Sequence, residues 1–286
     1  MPDPADITII TVCHNSMAVL PTMLDSVPQG VPVIWVDNAS TETDSLQALA
    51  RERGVRLILN AENTGFGRAC NFGAAQAQTQ YLLFLNPDAA LQEGALEELI
   101  AAAERHPQAS GFNPRILNSK GQQSFRRGSK IRPAERLKGP VPASDMEVPV
   151  LSGSAIFCRR ADFEAIGGFD PAIFMYHEDD DLSLRLRARG PLIYCHAAKV
   201  VHLSGHGSPR SPQVAAFKAY HSARSRAYTL EKYGHPRPRL NTLFAGLGRA
   251  LGPDTLLSKR RRAKNLGYLK GAWAAWRAAD LTPNKD

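Results

Sequence analysis

Short apolar runs alternate with amphipathic segments along the first part of the chain. The runs Ile7 to Cys13, Val33 to Val36, Val55 to Leu59 and Tyr81 to Leu85 are apolar at most positions. Runs of this length and composition are typical of strands that are buried on both faces of a parallel sheet. The intervening segments have the composition of helices, so the alternation predicts an α/β fold with helices on both faces of a sheet.

The pattern after the fourth run predicts further elements around one irregular segment. We expect helices over 96–103 and 214–233, and strands over 148–157 and 193–201. Residues 111–149 are basic, rich in proline and without regular periodicity. Long irregular segments inside a domain are commonly functional, and we predict a mobile loop that becomes ordered when a ligand binds.

The C-terminal residues differ in composition from the rest of the chain. Their large apolar residues recur at steps of three and four positions among lysines and arginines: Leu266, Leu269, Trp273 and Trp276. This pattern predicts an amphipathic basic helix with tryptophans suited to a membrane interface. It is equally compatible with a helix packed on the preceding domain. We predict one large domain over residues 1–233 and a helical extension over residues 234–286.

The net charge indicates which classes of partner the protein can bind. The formal net charge is +8, and much of the basic excess lies late, in Lys259 to Arg262 and its neighbours. Such an excess can serve a nucleic acid, an anionic membrane surface or a phosphorylated substrate. No RNA-binding aromatic strand, zinc knuckle or basic heptad array accompanies it, so we expect no nucleic-acid partner.

Several features indicate a cytoplasmic protein. The four cysteines are far apart in apolar surroundings, and we expect them to be reduced core residues: Cys13, Cys70, Cys158 and Cys195. The stretch Met1 to Asp6 lacks the basic and apolar regions of a secretory signal. No run approaches the roughly 18 consecutive apolar residues of a membrane span.

An acidic cluster is the most unusual local feature. The four acids Glu178 to Asp181 directly follow the apolar run Phe174 to Tyr176, and Asp181 lies one helical turn before Arg185. The acids therefore lie at a helix N-terminus, which favours negative charge. Four adjacent acids repel one another. A nearby cation or a proton-transfer role would explain why the acids are nevertheless adjacent. A solvated acidic helix cap is the alternative, and this segment alone leaves both open.

Polar residues also follow the predicted strands. Asn15, Asp37, Asn63 and Asp88 each come shortly after an apolar run. In open α/β sheets, ligands bind at the carboxyl ends of the strands, so these residues are candidates for a binding site.

Five motifs now stand in a fixed order along the chain. They are Val36 to Ser40, Asn63 to Gly67 with Asn71, Leu85 to Asp88, Gly153 to Ala155 followed by Gly167 to Asp170, and Phe174 to Leu182. Each motif is weak alone, but together they resemble the family 2 glycosyltransferases over residues 7–233. The motifs are most similar to the rhamnosyltransferase-like branch, which transfers sugars from dTDP- or UDP-sugars to glycans or polyprenyl-linked acceptors. The resemblance implies a GT-A fold with a Rossmann-like mixed sheet, a nucleotide-diphospho-sugar donor, a divalent cation and inversion at the anomeric carbon.

The resemblance implies roles for the matching residues. Asp37 matches the acid that binds the nucleotide base or ribose, although it also fits a turn before a Ser40 helix cap. The positions grouped on the donor side are Asn15, Asp37, Asn63, Gly65, Phe66, Asn71 and Asn86. Asn63 to Phe66 match a nucleotide-side loop in which glycine permits close backbone approach, although an ordinary helix-entry turn fits equally.

The tripeptide Asn86-Pro87-Asp88 occupies the place of the family's Asp-x-Asp metal motif. Asp88 would bind Mg²⁺ or Mn²⁺ bridging the donor phosphates, although Asn86 departs from the motif. A β-turn with proline at its second position is the alternative. His202 follows the last strand, where the family often has a histidine near the metal or pyrophosphate. A histidine satisfied within a turn is the alternative.

Asp179 matches the second acid of the family's Glu-Asp motif, which implies that it is the general base. Glu178 would support its orientation, and Asp181 would pair with Arg185. The chemistry of the contiguous acids does not distinguish among Asp179, Asp180 and Asp181. The arginines that are candidates for phosphate contacts are Arg126, Arg127, Arg224 and Arg226. We expect Trp35 and Tyr176 to be core residues and not sugar platforms.

The resemblance implies an inverting glycosyltransferase of cell-envelope polysaccharide synthesis, and the basic extension is expected to lie at the anionic inner face of the plasma membrane. A non-catalytic domain that recruits biosynthetic enzymes is the alternative, but the acids needed for catalysis are present. A nucleotidyltransferase would carry a glycine-rich basic loop where His14 to Ser16 stand. A NAD-dependent oxidoreductase would need a GxGxxG motif after the first strand.

Overall fold

The computed structural model describes residues 3–203, 211–253, 255 and 258–281. The described residues group into two compact units. The first lies within Met1–Thr64, Arg68–Phe169 and Asp179–Gly207, and the second within Gly65–Gly67, Asp170–Glu178 and Ser208–Asp286. The last helix of the domain that we predicted over 1–233 thus groups with the C-terminal helices.

The first unit contains a mixed sheet that comprises ten strands within the described residues. The strands are β1 (Ile7–Cys13), β2 (Val33–Asn38), β3 (Arg56–Asn60), β4 (Tyr81–Leu85), β5 (Ala89–Leu91), β6 (Gly111–Leu117), β7 (Gln123–Ser124), β8 (Met146–Glu147), β9 (Ala155–Arg159) and β10 (Leu192–His202). Their order is β3-β2-β1-β4-β9-β6-β10-β5, with β7 beside β6 and β8 beside β10. The strands β3, β2, β1 and β4 are parallel to their neighbours, and β9 is antiparallel to both β4 and β6.

Helices connect and extend the sheet. They are α1 (Leu20–Asp25), α2 (Thr43–Glu52), α3 (Phe66–Ala74), α4 (Ala95–Arg105), α5 (Arg160–Ala165), α6 (Glu178–Leu186), α7 (Pro212–Lys232), α8 (Pro238–Leu251) and α9 (Lys259–Arg277), with short 3₁₀ helices at Pro4–Asp6 and Pro133–Glu135. The mixed sheet with its helices confirms the predicted α/β class, and the helices after the sheet confirm a helical C-terminal extension. Within the described ranges, none of the helices is both long enough and apolar enough to cross a bilayer.

The core of the first unit follows from the apolar runs. Every residue of β1 is buried, as expected for a strand with parallel neighbours on both sides. Trp35 is a fully buried core residue, as predicted. The four cysteines are buried and none of them forms a disulfide, as expected for reduced core residues. Burial raises the pKa of the Cys13, Cys158 and Cys195 thiols, which keeps them protonated and unreactive.

The structure corrects the beginning of the segment predicted to be irregular. Residues 111–117 form β6, which pairs with β10 and β9 inside the sheet. The proline-rich composition of the segment did not indicate a strand, because a proline such as Pro114 cannot donate a ladder hydrogen bond. Pro114 is tolerated because Gly111 and Phe112 are the β6 residues that pair with β9, and the register with β10 shifts immediately after Pro114. The strand expected over 148–157 instead spans Ala155–Arg159.

The second unit is built mainly from α7, α8 and α9. Gly267 and Gly271 bring α9 so close to α7 that a Cβ at either glycine would collide with a backbone carbonyl of α7. Ala219, Ala223 and Ala272 fill the space between the helices with small side chains, around the buried Tyr268. Small residues therefore set the close packing of these helices.

Candidate active site

The end of β2 turns sharply at Asp37. The carboxylate is buried and accepts a hydrogen bond from the backbone N–H of Ser40 at 3.2 Å. Ser40 Oγ in turn accepts the backbone N–H of Asn15 at 2.9 Å, and Asn15 Oδ1 accepts the N–H of Thr41 at 2.8 Å. Asn15 and Ala39 both have positive φ, at 54° and 61°. The structure thus brings Asn15 and Asp37 together at the carboxyl ends of β1 and β2.

Asn38 is a central residue that the sequence analysis did not identify. Its side-chain oxygen accepts hydrogen bonds from the N–H of Thr64 at 3.0 Å and from Asn60 Nδ2 at 3.1 Å. Its Nδ2 donates to Asn63 Oδ1 at 2.8 Å. This buried amide therefore fixes Asn63 beside the end of β2. The position directly after Asp37 was the available signal, because a polar pair at a strand end is typical of a binding edge.

The loop of Gly65 and Phe66 belongs to the second unit. Phe66 donates its N–H to the carbonyl of Phe174 at 3.0 Å. Gly65 has a φ of +86°, and a Cβ there would lie 2.9 Å from the Phe174 Cα, closer than any real Cβ contact. Glycine is required at this position because the backbone approaches closely and adopts a left-handed conformation. The glycine of the predicted nucleotide-side loop thus seats the loop against the run that precedes the acids.

Asn71 has a different set of partners. Its Nδ2 donates to the carbonyl of Phe169 at 2.8 Å, and its Oδ1 accepts the N–H of Phe169 at the same distance. The paired bonds clamp the Gly168–Phe169 turn, where Gly168 has a φ of +70°. Asn71 therefore fixes the chain ahead of the acidic motif.

Asn86, Asp88 and His202 meet beyond the end of β4. His202 Nε2 lies 3.1 Å from Asp88 Oδ1 and 3.5 Å from Asn86 Nδ2, and Asp88 is buried. The N–H of Ala89 donates to the carbonyl of Asn86 at 3.1 Å, which forms a β-turn with Pro87 at its second position. The turn that we weighed as an alternative thus exists, and it presents Asp88 to His202.

The donors at this place fit a divalent cation. A carboxylate oxygen and an imidazole nitrogen lie side by side, and both are ligands of Mg²⁺ or Mn²⁺. Among the described residues, no group of three or more histidine, cysteine or acidic side chains is arranged to hold a metal. A two-residue set suits an ion that takes its remaining ligands from a diphosphate and water.

The acids of α6 differ sharply in environment. The side chains of Asp180 and Asp181 are 2% and 0% exposed, whereas that of Asp179 is 20% exposed. Asp181 accepts a hydrogen bond from Arg185 Nε at 2.8 Å, which confirms the predicted pair. A solvated acidic cap is therefore the wrong interpretation for Asp180 and Asp181.

Arg126 links Asp179 and Asp180. It forms an ion pair with Asp179 and another with Asp180 Oδ2 at 2.7 Å. Asp179 Oδ2 also accepts the N–H of Gly153 at 3.1 Å, and Asp180 Oδ1 accepts the N–H of Lys130 at 3.0 Å. Burial raises the pKa of Asp180, Arg126 lowers it, and the charge of Asp179 raises it again, so the net shift is upward.

The other arginines that we predicted as candidates for phosphate contacts have different surroundings. Two of them lie near aromatic rings, and the third is partly buried. Arg127 lies 5.6 Å from the ring centroid of Phe125, and Arg224 lies 5.9 Å from that of Tyr220. The Nε of Arg226 is buried without a hydrogen bond from the described residues. Arg126 was predicted as a phosphate contact. In the structure it pairs with two acids that are more than 50 residues away in the chain, and no local sequence pattern indicates such pairs.

The residues just before the acids have an unusual backbone. Tyr176 and His177 have φ values of 65° and 68°, although neither is glycine. Such conformations cost of the order of 1–3 kcal/mol each and concentrate at functional sites. The Tyr176 side chain is 41% exposed, so the expectation that Tyr176 belongs to the core is wrong. The left-handed backbone turns the ring outward, which periodicity cannot reveal.

Comparison with known proteins identifies the family. A model of glycosyl transferase family 2 matches residues 8–167. An N-acetylglucosaminyl-diphospho-decaprenol L-rhamnosyltransferase of Mycobacterium tuberculosis is 32% identical over 213 residues, which cover 64% of this chain and 69% of that protein. The O-antigen biosynthesis protein RfbC of Myxococcus xanthus is 28% identical over 187 residues, which cover 59% of this chain and 15% of that protein.

Solved structures show the same fold. The crystal structure of S. aureus TarS 1-349 matches with a TM-score of 0.57 at 16% identity, over 94% of this chain and 90% of that chain. The crystal structure of GalNAc-T7 with UDP, GalNAc and Mn²⁺ matches with a TM-score of 0.56 at 16% identity, over 93% of this chain and 55% of that chain. The fold is of the GT-A type, as predicted. Because the family model matches more than half of the chain, this protein is a glycosyltransferase and belongs to glycosyl transferase family 2.

Proposed function

We propose that this glycosyltransferase is an inverting enzyme that moves rhamnose or a similar sugar from a dTDP- or UDP-sugar to an acceptor hydroxyl. The acceptor is a glycan or a polyprenyl-linked saccharide of cell-envelope polysaccharide synthesis. The name of the mycobacterial relative, a rhamnosyltransferase for a decaprenol-linked saccharide, supports the sugar and the acceptor class. The TarS structures with UDP and with UDP-GlcNAc support a nucleotide-diphospho-sugar donor.

The observation that carries this proposal is the setting of Asp179. A general base must reach the proton that it removes, and Asp179 is the more exposed carboxylate beside the buried Asp180 and Asp181. The Gly153 N–H and Arg126 hold it in one orientation. Glu178 precedes it in α6 and supports that orientation as the second catalytic residue.

The proposed reaction is a single displacement. Asp179 accepts the proton of the acceptor hydroxyl while the acceptor oxygen attacks the anomeric carbon opposite the leaving group. The new glycosidic carbon–oxygen bond forms as the bond between the anomeric carbon and the donor diphosphate breaks. The nucleoside diphosphate departs with that electron pair, and the anomeric configuration is inverted.

The donor side of the proposal uses the strand ends. Asp37 accepts hydrogen bonds from the base or ribose, with Asn15 and Asn63 beside it through the Ser40 and Asn38 contacts. Gly65 and Phe66 form the nucleotide-side loop. Asn71 acts as a positioning residue through its clamp on Phe169.

Asp88 and His202, with Asn86 beside them, would hold Mg²⁺ or Mn²⁺. A cation there would supply electrostatic stabilisation for the negative charge of the departing diphosphate. Asp88 is buried and His202 Nε2 lies 3.1 Å from its Oδ1, so the protein holds a carboxylate and an imidazole together at this place.

The proposal retains the loop and the location predicted from the sequence. Of the loop predicted over residues 111–149, the part between β6 and β8, residues 118–145, closes over the donor when it binds. The enzyme works in the cytoplasm at the inner face of the plasma membrane, with its C-terminal extension against the anionic surface.

Isothermal titration with dTDP, UDP and GDP, each with Mn²⁺ and with a chelator, tests this function. Wild type is compared with Asp88→Ala and with Asp44→Ala, an exposed acid of α2 that serves as the control. We expect tight, metal-dependent binding of one diphosphate that Asp88→Ala weakens and Asp44→Ala leaves unchanged. If no nucleotide binds, the alternative stands: a non-catalytic domain that acts as a binding partner in a polysaccharide-assembly complex.

A further inference from the structure

The helix α8 exposes an apolar stripe. Phe244, Leu247 and Leu251 follow one another at steps of three and four residues, so they lie on one side of the helix. Phe244 is 60% exposed and Leu251 is 85% exposed. Leu243 and Gly246, on the neighbouring side of the helix, are buried in the second unit. Leu243 and Gly246 therefore pack α8 within the second unit, and the side chains of the stripe point away from that packing.

The helix α9 exposes a similar stripe. Leu266 and Trp273 lie seven residues apart on one side, and the rings of Trp273 and Trp276 lie 5.2 Å apart. All three side chains are more than 40% exposed. The buried side of the same helix, which includes Tyr268 and Ala272, faces α7 and α8.

The two stripes lie on the same side of the pair formed by α8 and α9. Gly246 marks the contact line, because a Cβ there would meet Leu269 and Ala272 of α9 at 3.2 and 3.3 Å. Arg249 covers one flank of this line, with its guanidinium 3.8 Å from the ring centroid of Tyr268. At 100° per residue, Leu247 projects to the opposite flank.

A cleft of about 400 Å³ joins the helices at the end of this face. Leu240, which continues the stripe of α8 one turn before Phe244, and Trp276 of α9 line it together with Arg237 and His235. The stripes of the two helices therefore form one surface, which we call the α8/α9 face.

The two helices of the α8/α9 face carry charge of a single sign, and Glu231 of α7, an acid that also lines the cleft, is paired with Arg239. Neither helix contains an acidic residue, and the two together contain nine basic ones: Arg239, Arg249, Lys259, Arg260, Arg261, Arg262, Lys264, Lys270 and Arg277. Arg262 and Lys270 lie four residues before and after Leu266, and Arg277 lies four residues after Trp273, so basic and apolar side chains share one side of α9.

We propose that the α8/α9 face docks on an anionic lipid bilayer, with Phe244, Leu247, Leu251, Leu266 and Trp273 inserted among the headgroups. Surfaces that expose aliphatic and tryptophan side chains flanked by lysine and arginine bind to the interface of anionic bilayers. A second copy of the chain is a poor occupant, because a twofold contact would oppose two surfaces on which basic residues predominate. The inference rests on the proposed function only in that a lipid-linked acceptor explains why an enzyme would dock there.

Co-sedimentation of the full chain with vesicles tests the docking. Vesicles of phosphatidylcholine alone are compared with vesicles that contain phosphatidylglycerol, at low and high salt. We expect binding to the anionic vesicles only, weakened by salt. The double variant Phe244→Ser/Leu251→Ser should bind at least roughly tenfold more weakly. Leu59→Ser, which removes an exposed leucine of β3 in the first unit, should bind like wild type.

A second pair of variants separates charge from apolar contact. Lys270→Gln/Arg277→Gln should weaken binding by about fivefold for each charge removed. Arg51→Gln/Lys120→Gln makes the same change in net charge within the first unit and should have little effect. If the two charge variants weaken binding equally, the attraction comes from the net charge of the chain and the α8/α9 face is not the docking surface.

The remaining outcomes overturn the inference or separate it from the proposed function. If wild type ignores anionic vesicles, or is a dimer that Phe244→Ser/Leu251→Ser converts to a monomer, the face is not a membrane surface. Nucleoside diphosphate titration of every variant, with circular dichroism, shows whether each is folded and active in binding. Nucleotide binding without vesicle binding defeats the docking and the membrane location, and the proposed transfer reaction stands. Vesicle binding without any nucleotide binding defeats the proposed transfer reaction alone.

Discussion

Arg126 forms an ion pair with Asp179, although 53 residues separate them in sequence. The same guanidinium reaches Asp180, so one cation holds two adjacent carboxylates of α6. Adjacent acids in a partly buried place repel unless a cation lies between them. Arg126 therefore sets the charge state in which the proposed base can act.

Arg126→Ala should make the enzyme more sensitive to acid. Burial and the charge of Asp179 already raise the pKa of Asp180, and loss of the arginine removes the opposing influence. Asp180 then retains a proton to higher pH, and we expect the acid limb of the kcat/KM profile to move upward by about one pH unit or more. Arg127→Ala, which removes the neighbouring arginine near Phe125, is the control. An unmoved acid limb in Arg126→Ala would show that the pair does not govern the base.

Gly65→Ala should destabilise the protein more than Gly54→Ala. Both glycines have positive φ, at 86° and 64°, so both substitutions strain the backbone. A Cβ at Gly54 meets nothing within 4 Å, whereas one at Gly65 meets the backbone of Phe174. We expect a loss of about 1 kcal/mol in the free energy of unfolding for Gly54→Ala and a clearly larger loss for Gly65→Ala. Equal losses by urea denaturation would mean that the close approach at Gly65 is not a constraint.

Asp170→Asn should cost stability near neutral pH and cost less in acid. Burial alone would raise the pKa of Asp170, but Lys232, the N–H of Ala172 and Tyr228 outweigh it and lower the pKa below its usual 3.8. A carboxylate with a lowered pKa contributes stability above its unfolded value and loses it as the pH falls through the folded value. We expect a loss of about 1–3 kcal/mol at pH 7, shrinking below about pH 4. A difference from wild type that stays constant down to pH 2 would contradict this assignment.

Local patterns in the sequence predicted the parts of the fold that depend on them. The buried run of β1 and the helices with a clear apolar side were found where expected. The three-residue β5 was missed because so short a strand has no periodicity, and β6 was missed because of Pro114. The family motifs pointed to Asp37, Asp88 and Asp179, and in the structure His202 Nε2 lies 3.1 Å from Asp88 Oδ1.

Contacts between residues that are far apart in the chain could not be predicted from the sequence. The amide of Asn38 organises three strand-end residues, and Arg126 crosses from the basic segment to α6. Neither arrangement leaves a local spacing to recognise. The exposure of Tyr176 likewise depends on two consecutive positive φ angles, which no composition indicates.

The most direct test of the account is the turnover of Asp179→Asn with a saturating nucleotide-sugar donor and a lipid-linked or short-chain saccharide acceptor, measured beside Asp180→Asn. The amide keeps the shape of the carboxylate but cannot accept the acceptor proton. We predict that Asp179→Asn lowers kcat by roughly 10²–10⁴-fold while nucleoside diphosphate binding stays at the wild-type level, and that Asp180→Asn lowers kcat far less. Wild-type turnover in Asp179→Asn, or a greater loss in Asp180→Asn, would show that Asp179 is not the base.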